Sequence, residues 1–265
     1  MPYLLINADD FGLAPGVTEA IIACSASVTP MSTSAMTCIE GAEELLRRDA
    51  HRLRGNIGLH LQLTQGKPTL PSAEVPTLLA ADGRFPSRRA KATANLDEVA
   101  REWREQMTRL RSWGINPDHL DSHHHIHARH DVDERLLKVY VDLALETSLP
   151  ARSGTRPVAQ LLRSKGVLCP DVTIFLSEGE ISMEALLHAL QRERAEGPRE
   201  QIVELCCHPG FVDDALTERT LPRYLATREA ELDLLLNKRM CCSLLAAGWE
   251  IISFSQLSEL RTNAV

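Results

Sequence analysis

The chain has 265 residues, 44% of them hydrophobic, and carries a formal net charge of −7. That much apolar sequence buries the core of one large α/β domain or two small ones, and the acidic balance excludes a nucleic-acid-binding footprint. No apolar run approaches membrane-spanning length, and seven cysteines without a C-x-x-C pair give neither a disulfide framework nor a zinc knuckle, so a reducing cytoplasm is the expected compartment.

Tyr3-Leu4-Leu5-Ile6 is too short an apolar run for a signal segment. Residues 3–7 (YLLIN) instead suit a buried parallel strand ending at Ala8-Asp9-Asp10-Phe11-Gly12. A helix over 16–26 follows, with Val17, Ala20, Ile21 and Cys24 on one face, and residues 56–63 (NIGLHLQL) form a second strand. From Pro68 to about Ala94, Pro71, Pro76 and Pro86 break any periodicity and mark an excursion or lid. Helix 96–113 keeps Leu96, Val99, Trp103, Met107, Leu110 and Trp113 at helical spacing, with Asn95 as N-cap and Gly114 at its stop.

A His-rich strand over 118–124 comes next, then a helix over 132–147, a short strand near Ala151-Arg152 and a helix around 156–164. Residues 182–196 read as helix, and 201–207 (QIVELCC) as a strand closing on His208-Pro209-Gly210. A long helix over 226–247 and a strand from Trp249 to Phe254 complete the chain. The pairs Cys206-Cys207 and Cys241-Cys242 lie in apolar segments, where free cysteine acts as a small buried hydrophobe. About six to eight strands alternating with helices predict an α/β fold with a parallel sheet, either barrel or doubly wound. No internal repeat or linker divides residues 1–265, which read as a single domain.

The stretch His119-Leu120-Asp121-Ser122-His123-His124-His125-Ile126-His127 holds five of the ten histidines. His119, Asp121, His123, His125 and His127 fall at every second position, so a strand would send all five to one face. Buried imidazoles need a hydrogen-bond partner or a metal, and imidazole is a common ligand for borderline divalent ions. Asp9 and Asp10 end the first strand, His60 lies in the second, the His cluster ends a third and His208 ends a fourth. In parallel α/β folds these strand ends share one face, where active sites gather.

Four blocks, Asn7-Ala8-Asp9-Asp10-Phe11-Gly12, Gly58-Leu59-His60-Leu61, His119 through His125 and Cys207-His208-Pro209, resemble the signature blocks of the YdjC-like carbohydrate deacetylases. That family includes chitooligosaccharide and hopanoid-associated deacetylases. Weaker similarity runs through Ser32-Thr33-Ser34-Ala35, Gly66-Lys67-Pro68 and Arg228-Glu229-Ala230-Glu231-Leu232. The resemblance implies an irregular, TIM-like parallel (β/α) barrel, one divalent metal and hydrolysis of an N-acetyl group on an amino sugar. It implies Asp10, His60 and His123 as metal ligands and Asp9 as catalytic base, with His208 a candidate for the acid.

Two imidazoles and a carboxylate leave coordination positions open for water and a carbonyl. Imidazole favours Zn²⁺, whereas the family leaves Mg²⁺ open. His125 could chelate beside His123; otherwise His125, His127, Asp121 and Arg152 are candidates for contacting substrate or orienting the ligands. His119 and His124 read as structural. A phosphoesterase on the same scaffold is an alternative, for which only Arg152 and Arg228 offer phosphate contacts. A non-catalytic metal- or sugar-binding protein is another, although a binder has no need of Asp9 beside Asp10. With three Tyr and three Trp, an extended aromatic platform is poorly supplied, which favours a small or terminal sugar. Assembly into a homo-oligomer is left open by the sequence.

Overall fold

A computed structural model describes residues 1–87, 93–128, 135–176 and 181–262. Seven parallel strands appear among them: β1 (Tyr3–Phe11), β2 (Ser32–Ala35), β3 (Ile57–Leu61), β4 (Leu120–Ser122), β5 (Val172–Ile174), β6 (Ile202–Cys207) and β7 (Glu250–Ile252). They run in the order β4-β3-β2-β1-β6-β5, and β7 also pairs with β1. The lower half of β1, Tyr3 to Leu5, faces β7, whereas Asn7 to Phe11 faces β2. Residues 150–154 bridge the outer strands: Ala151 pairs with Leu120, and Thr173 N–H donates to Gly154 C=O (3.3 Å). The sheet therefore curls as an irregular parallel half-barrel, and the short strand expected near Ala151-Arg152 is this bridging segment.

Sequence explains why the inner strands read as continuous apolar runs. β2, β3 and β6 are buried along their whole length, and so is β1 after Tyr3, because helices cover the outer face. The helices are α1 (Pro15–Ser27), α2 (Ala42–Asp49), α3 (Leu96–Ser112), α4 (Arg135–Thr147), α5 (Arg156–Ser164), α6 (Met183–Glu196), α7 (Asp214–Arg219), α8 (Pro222–Leu235), α9 (Met240–Ala246) and α10 (Phe254–Thr262). Asn95 caps α3 as its composition predicts, accepting from Asp97 N–H at 2.9 Å. The same helix pins the excursion after β3. Glu102 accepts from Thr69 N–H (2.8 Å) and Leu70 N–H (3.0 Å), and Glu98 accepts from Thr77 N–H (2.9 Å). Residues 88–92 of the expected excursion and 132–134 of the expected helix lie outside the described residues.

Three expectations need correction. The long helix over 226–247 is two helices, because Asn237 interrupts it: its side chain accepts from Arg239 N–H (2.9 Å) and its carbonyl from Met240 N–H (2.8 Å). As a result Cys241 is only half-buried and Cys242 is exposed, unlike the buried Cys206 and Cys207. The His-rich strand stops at Ser122, and residues 123–125 form a 3-10 turn with positive φ at His124 (57°) and His125 (51°). His123, His125 and His127 therefore do not continue one strand face. Strands β2 and β5 and helices α2 and α7 were too short to carry a period of their own.

Gly58 shows how tightly the strands are packed. A Cβ there would overlap the His119 ring, which stacks on Phe254 (3.8 Å between centroids) and bonds Asp118 through Nδ1 (2.7 Å). His119 is thus a structural core residue. Gly58→Ala should cost about 1–3 kcal/mol by overpacking, read as a lower denaturation midpoint.

Candidate active site

The upper ends of the strands converge on a buried polar cluster. β1 delivers Asn7, Asp9 and Asp10, β3 delivers His60, β4 delivers Asp121, and the turn after it delivers His123 and His125. β6 brings Glu204 and Cys206 and leads into His208, while the bridging segment brings Arg152 and α8 brings Arg228 and Glu231. Asp10 holds a positive φ of 73°, a sparsely populated conformation for a residue with a side chain.

Three potential ligand atoms converge within this cluster. His60 Nε2 lies 3.4 Å from Asp10 Oδ1, both atoms are buried, and neither makes a hydrogen bond. His123 Nε2 lies 4.0 Å from the same oxygen. The far side of each ring is fixed: His60 Nδ1 meets Asp121 Oδ1 at 2.7 Å, and His123 Nδ1 meets Thr64 Oγ1 at 2.9 Å. Support of this kind on the second ring nitrogen orients an imidazole for metal binding. Two facing buried polar atoms without a hydrogen bond are costly by themselves, and a divalent ion fits their chemistry. The other Asp10 oxygen accepts from Arg228 Nη2.

Arg152 organises the second group. It is fully buried, donates to both Asp9 oxygens (2.7 Å each), to Glu204 Oε1 through Nε (2.8 Å), and pairs with Asp121 Oδ2 (2.9 Å). Asn7 Nδ2 also donates to Asp9 Oδ1 (2.8 Å), and the Cys206 thiol to Asp9 Oδ2 (3.2 Å).

Electrostatics follow from these contacts. Burial alone would raise the Asp9 pKa, but the Arg152 fork overrides it and holds the carboxyl well below its usual range. Arg228 does the same for Asp10 against the same burial penalty. Burial disfavours a charged His60, yet Asp121, Asp10 and Asp9 together push its pKa up to about 10, so a divalent ion at Nε2 would have to displace a proton. His123 is driven the other way, well below its usual value, by burial and by His124. Burial raises Glu204 despite Arg152, and raises Glu231 despite His208.

His208 sits at the solvent side, a third exposed, with Nε2 3.9 Å from Asp9 Oδ2 and Nδ1 3.9 Å from Glu231 Oε2. Its backbone N–H donates to the same Glu231 oxygen (2.7 Å). His125 has a buried Nδ1 without a hydrogen-bond partner, and Phe175 packs edge-on against its ring at 4.7 Å. His127 turns away: it stacks on Tyr140 (4.2 Å), bonds Ser122 Oγ through Nδ1 (2.6 Å), and burial with Arg152 nearby depresses its pKa to about 3. It supports the turn after β4.

Four contributors were not legible as site residues: Thr64, Glu204, Cys206 and Glu231. Glu204 did leave a signal, as the lone acid inside the apolar run Ile202-Val203-Glu204-Leu205. Arg152 and Arg228, the two phosphate-contact candidates, are each taken up by carboxylates.

By proximity, two groups among the described residues could hold a metal ion: Asp9, His60 and Asp121, and Asp9, His125, Cys206 and His208. In the first, Asp9 and Asp121 already pair with Arg152, and the Asp121 contact is on His60 Nδ1. That trio orients His60, whose Nε2 faces Asp10 Oδ1, with His123 Nε2 4.0 Å from the same oxygen.

A carbohydrate deacetylase of Enterococcus faecalis V583 is 33% identical over 246 residues, 89% of this chain and 91% of the relative. A chitooligosaccharide deacetylase of Proteus mirabilis is 30% identical, covering 96% of this chain and 98% of its own length. A crystal structure from Enterococcus faecalis V583, provisionally described as a cellobiose-phosphate cleavage protein, superposes with a TM-score of 0.85 at 31% identity. It spans 97% of this chain and 98% of that one. A lactam utilization protein of Thermus thermophilus, at 16% identity and a TM-score of 0.51, shares the fold alone. With the YdjC-like protein model matching residues 3–244, the chain belongs to the YdjC-like family.

Proposed function

We propose that this protein is a metal-dependent hydrolase that removes the N-acetyl group from a small or terminal amino sugar. The observation that carries the reading is the convergence of Asp10 Oδ1 and His60 Nε2, buried, 3.4 Å apart and without a hydrogen bond, with His123 Nε2 4.0 Å from the same oxygen. The names of the relatives supply the substrate class: carbohydrate deacetylase and chitooligosaccharide deacetylase. Asp10, His60 and His123 would hold one divalent ion, which supplies Lewis-acid polarisation of the acetamide carbonyl and an acidified water. Two imidazoles favour Zn²⁺ over Mg²⁺.

The chain's own groups handle the protons. Asp9, anionic and fixed by Arg152, is positioned to take the proton of the attacking water. Its depressed pKa makes it a weak base toward free water and suits it to an acidified one. His208, with Nε2 3.9 Å from Asp9 Oδ2 and Nδ1 3.9 Å from Glu231 Oε2, would give a proton to the departing amine. A phosphoesterase is disfavoured because Arg152 and Arg228 are already neutralised by Asp9, Asp121, Glu204 and Asp10.

Acetate release from N-acetylglucosamine and its short oligomers, with and without chelator, tests the reading. Release that chelator abolishes and added metal restores is expected. Absence of release from every N-acetylated sugar, or release indifferent to chelator, would refute it.

His208→Ala should slow hydrolysis of an N-acetyl amide about 10²–10⁴-fold and leave an activated acetate ester, whose leaving group needs no proton, nearly unaffected. Metal content should stay the same. Equal losses on amide and ester would assign His208 to holding substrate or stabilising the oxyanion.

A further inference from the structure

The proposed reaction leaves one donor unused. Cys206 directs its thiol at Asp9 Oδ2 from 3.2 Å and lies 3.9 Å from His208 Nε2, which is itself 3.9 Å from the same Asp9 oxygen. A ring nitrogen of His125 completes the group, with one donor atom from each of the four residues within 4.8 Å of the others. His125 also carries a buried nitrogen, Nδ1, that no protein atom satisfies. A tetrahedral ion bonded to oxygen and nitrogen at about 2.0–2.2 Å and sulfur at about 2.3 Å sets its donors about 3.3–3.7 Å apart. The measured separations need shifts of only tenths of an ångström to meet that for three of the four donors. A carboxylate, two imidazoles and a thiol form the donor set of a closed zinc site, and a poor one for Mg²⁺.

We propose that Asp9, His125, Cys206 and His208 form a second, inhibitory cation site for thiophilic divalent ions such as Zn²⁺. The proposal rests on the reading above, in which Asp9 and His208 move the protons of the reaction. An ion bound by both would withdraw base and acid together. On binding, the Cys206 thiol loses its proton to solvent and the sulfur lone pair goes to the ion.

Charge sets the order of filling. Among the described residues, Asp9, Asp10, Asp121, Glu204 and Glu231 face two permanent cations, Arg152 and Arg228, and the His60 ring, whose proton a dication at Asp10, His60 and His123 would displace, so a second dication with the Cys206 thiolate can still be accommodated. Arg152 donates to the very Asp9 oxygen the second ion would use, which makes this site the weaker of the two. Activity should therefore rise with the first equivalent of zinc and fall with excess.

Cobalt(II) reports the site directly, because a thiolate ligand gives it a charge-transfer absorption. Metal-stripped full-length protein titrated with Co²⁺ should show no such band at the first equivalent and a band at the second. Excess Zn²⁺ should cut acetate release about 10²-fold or more, the loss expected when acid and base are withdrawn. Cys206→Ser should lose both the band and the inhibition, while Cys242→Ser, which removes the exposed thiol, should keep both. Absence of a second-equivalent band, or a band that survives Cys206→Ser and vanishes in Cys242→Ser, would overturn the proposal. A band already at the first equivalent would overturn the filling order together with the primary ligand set. A second-equivalent band that depends on Cys206, in a protein that releases no acetate, would sustain the cation site and refute the deacetylase reading alone.

Discussion

Asp9→Asn is expected to lower turnover about 10²–10⁴-fold while the protein still binds its metal. The amide is nearly isosteric but accepts no proton from water. Asp9 is also the residue whose two oxygens both face Arg152, so the variant keeps one acceptor for that fork and Arg152 keeps Asp121 and Glu204. The fold should therefore survive. Asp10→Asn should do the opposite. It weakens metal binding first, because Asp10 Oδ1 is the oxygen facing His60 Nε2 and His123 Nε2. Metal content and kcat measured on both variants separate the roles, and a reversed pattern would exchange them.

Arg152→Met should be the most destabilising single change in the site. The guanidinium is fully buried and serves Asp9, Asp121 and Glu204, so its removal strands three carboxylates in the core. Breaking a buried ion pair from one side costs about 3–5 kcal/mol. For a domain of this size that lowers Tm by roughly 2–4 °C per kcal/mol, about 10 °C in all. Arg152→Lys should recover little, because a single ammonium cannot reproduce the fork on Asp9 and the Nε contact to Glu204 together. A Tm within a degree or two of wild type for Arg152→Met would show that the three carboxylates share protons instead of needing the cation.

Much of this was legible in the sequence for a definite physical reason. A polar cluster at one end of a parallel sheet draws its groups from the strand ends, and Asp9, Asp10, His60 and the His119–His127 run stand at or near the ends of apolar strands. The capped, amphipathic α3 was equally readable, since local chemistry decides it. The error over His123, His125 and His127 has the same root as the success. Alternation predicts one face only while the chain stays extended, and positive φ at His124 and His125 ends that after Ser122. Arg152 was noticed but its task was not, because three of its partners come from β1, β4 and β6, far apart in sequence. Glu231 and Thr64 hold His208 and His123 from elements whose sequence is fixed by helix and loop geometry, and nothing local announces that service.

The central claim is a single catalytic ion held by Asp10, His60 and His123. Anomalous diffraction at the zinc edge, from crystals of protein loaded with one equivalent, tests it most directly. The account predicts one peak within bonding distance of Asp10 Oδ1, His60 Nε2 and His123 Nε2, about 2.0–2.2 Å from each, and its loss in His60→Ala. A peak among Asp9, His60 and Asp121, or one that persists in full after His60→Ala, would contradict it.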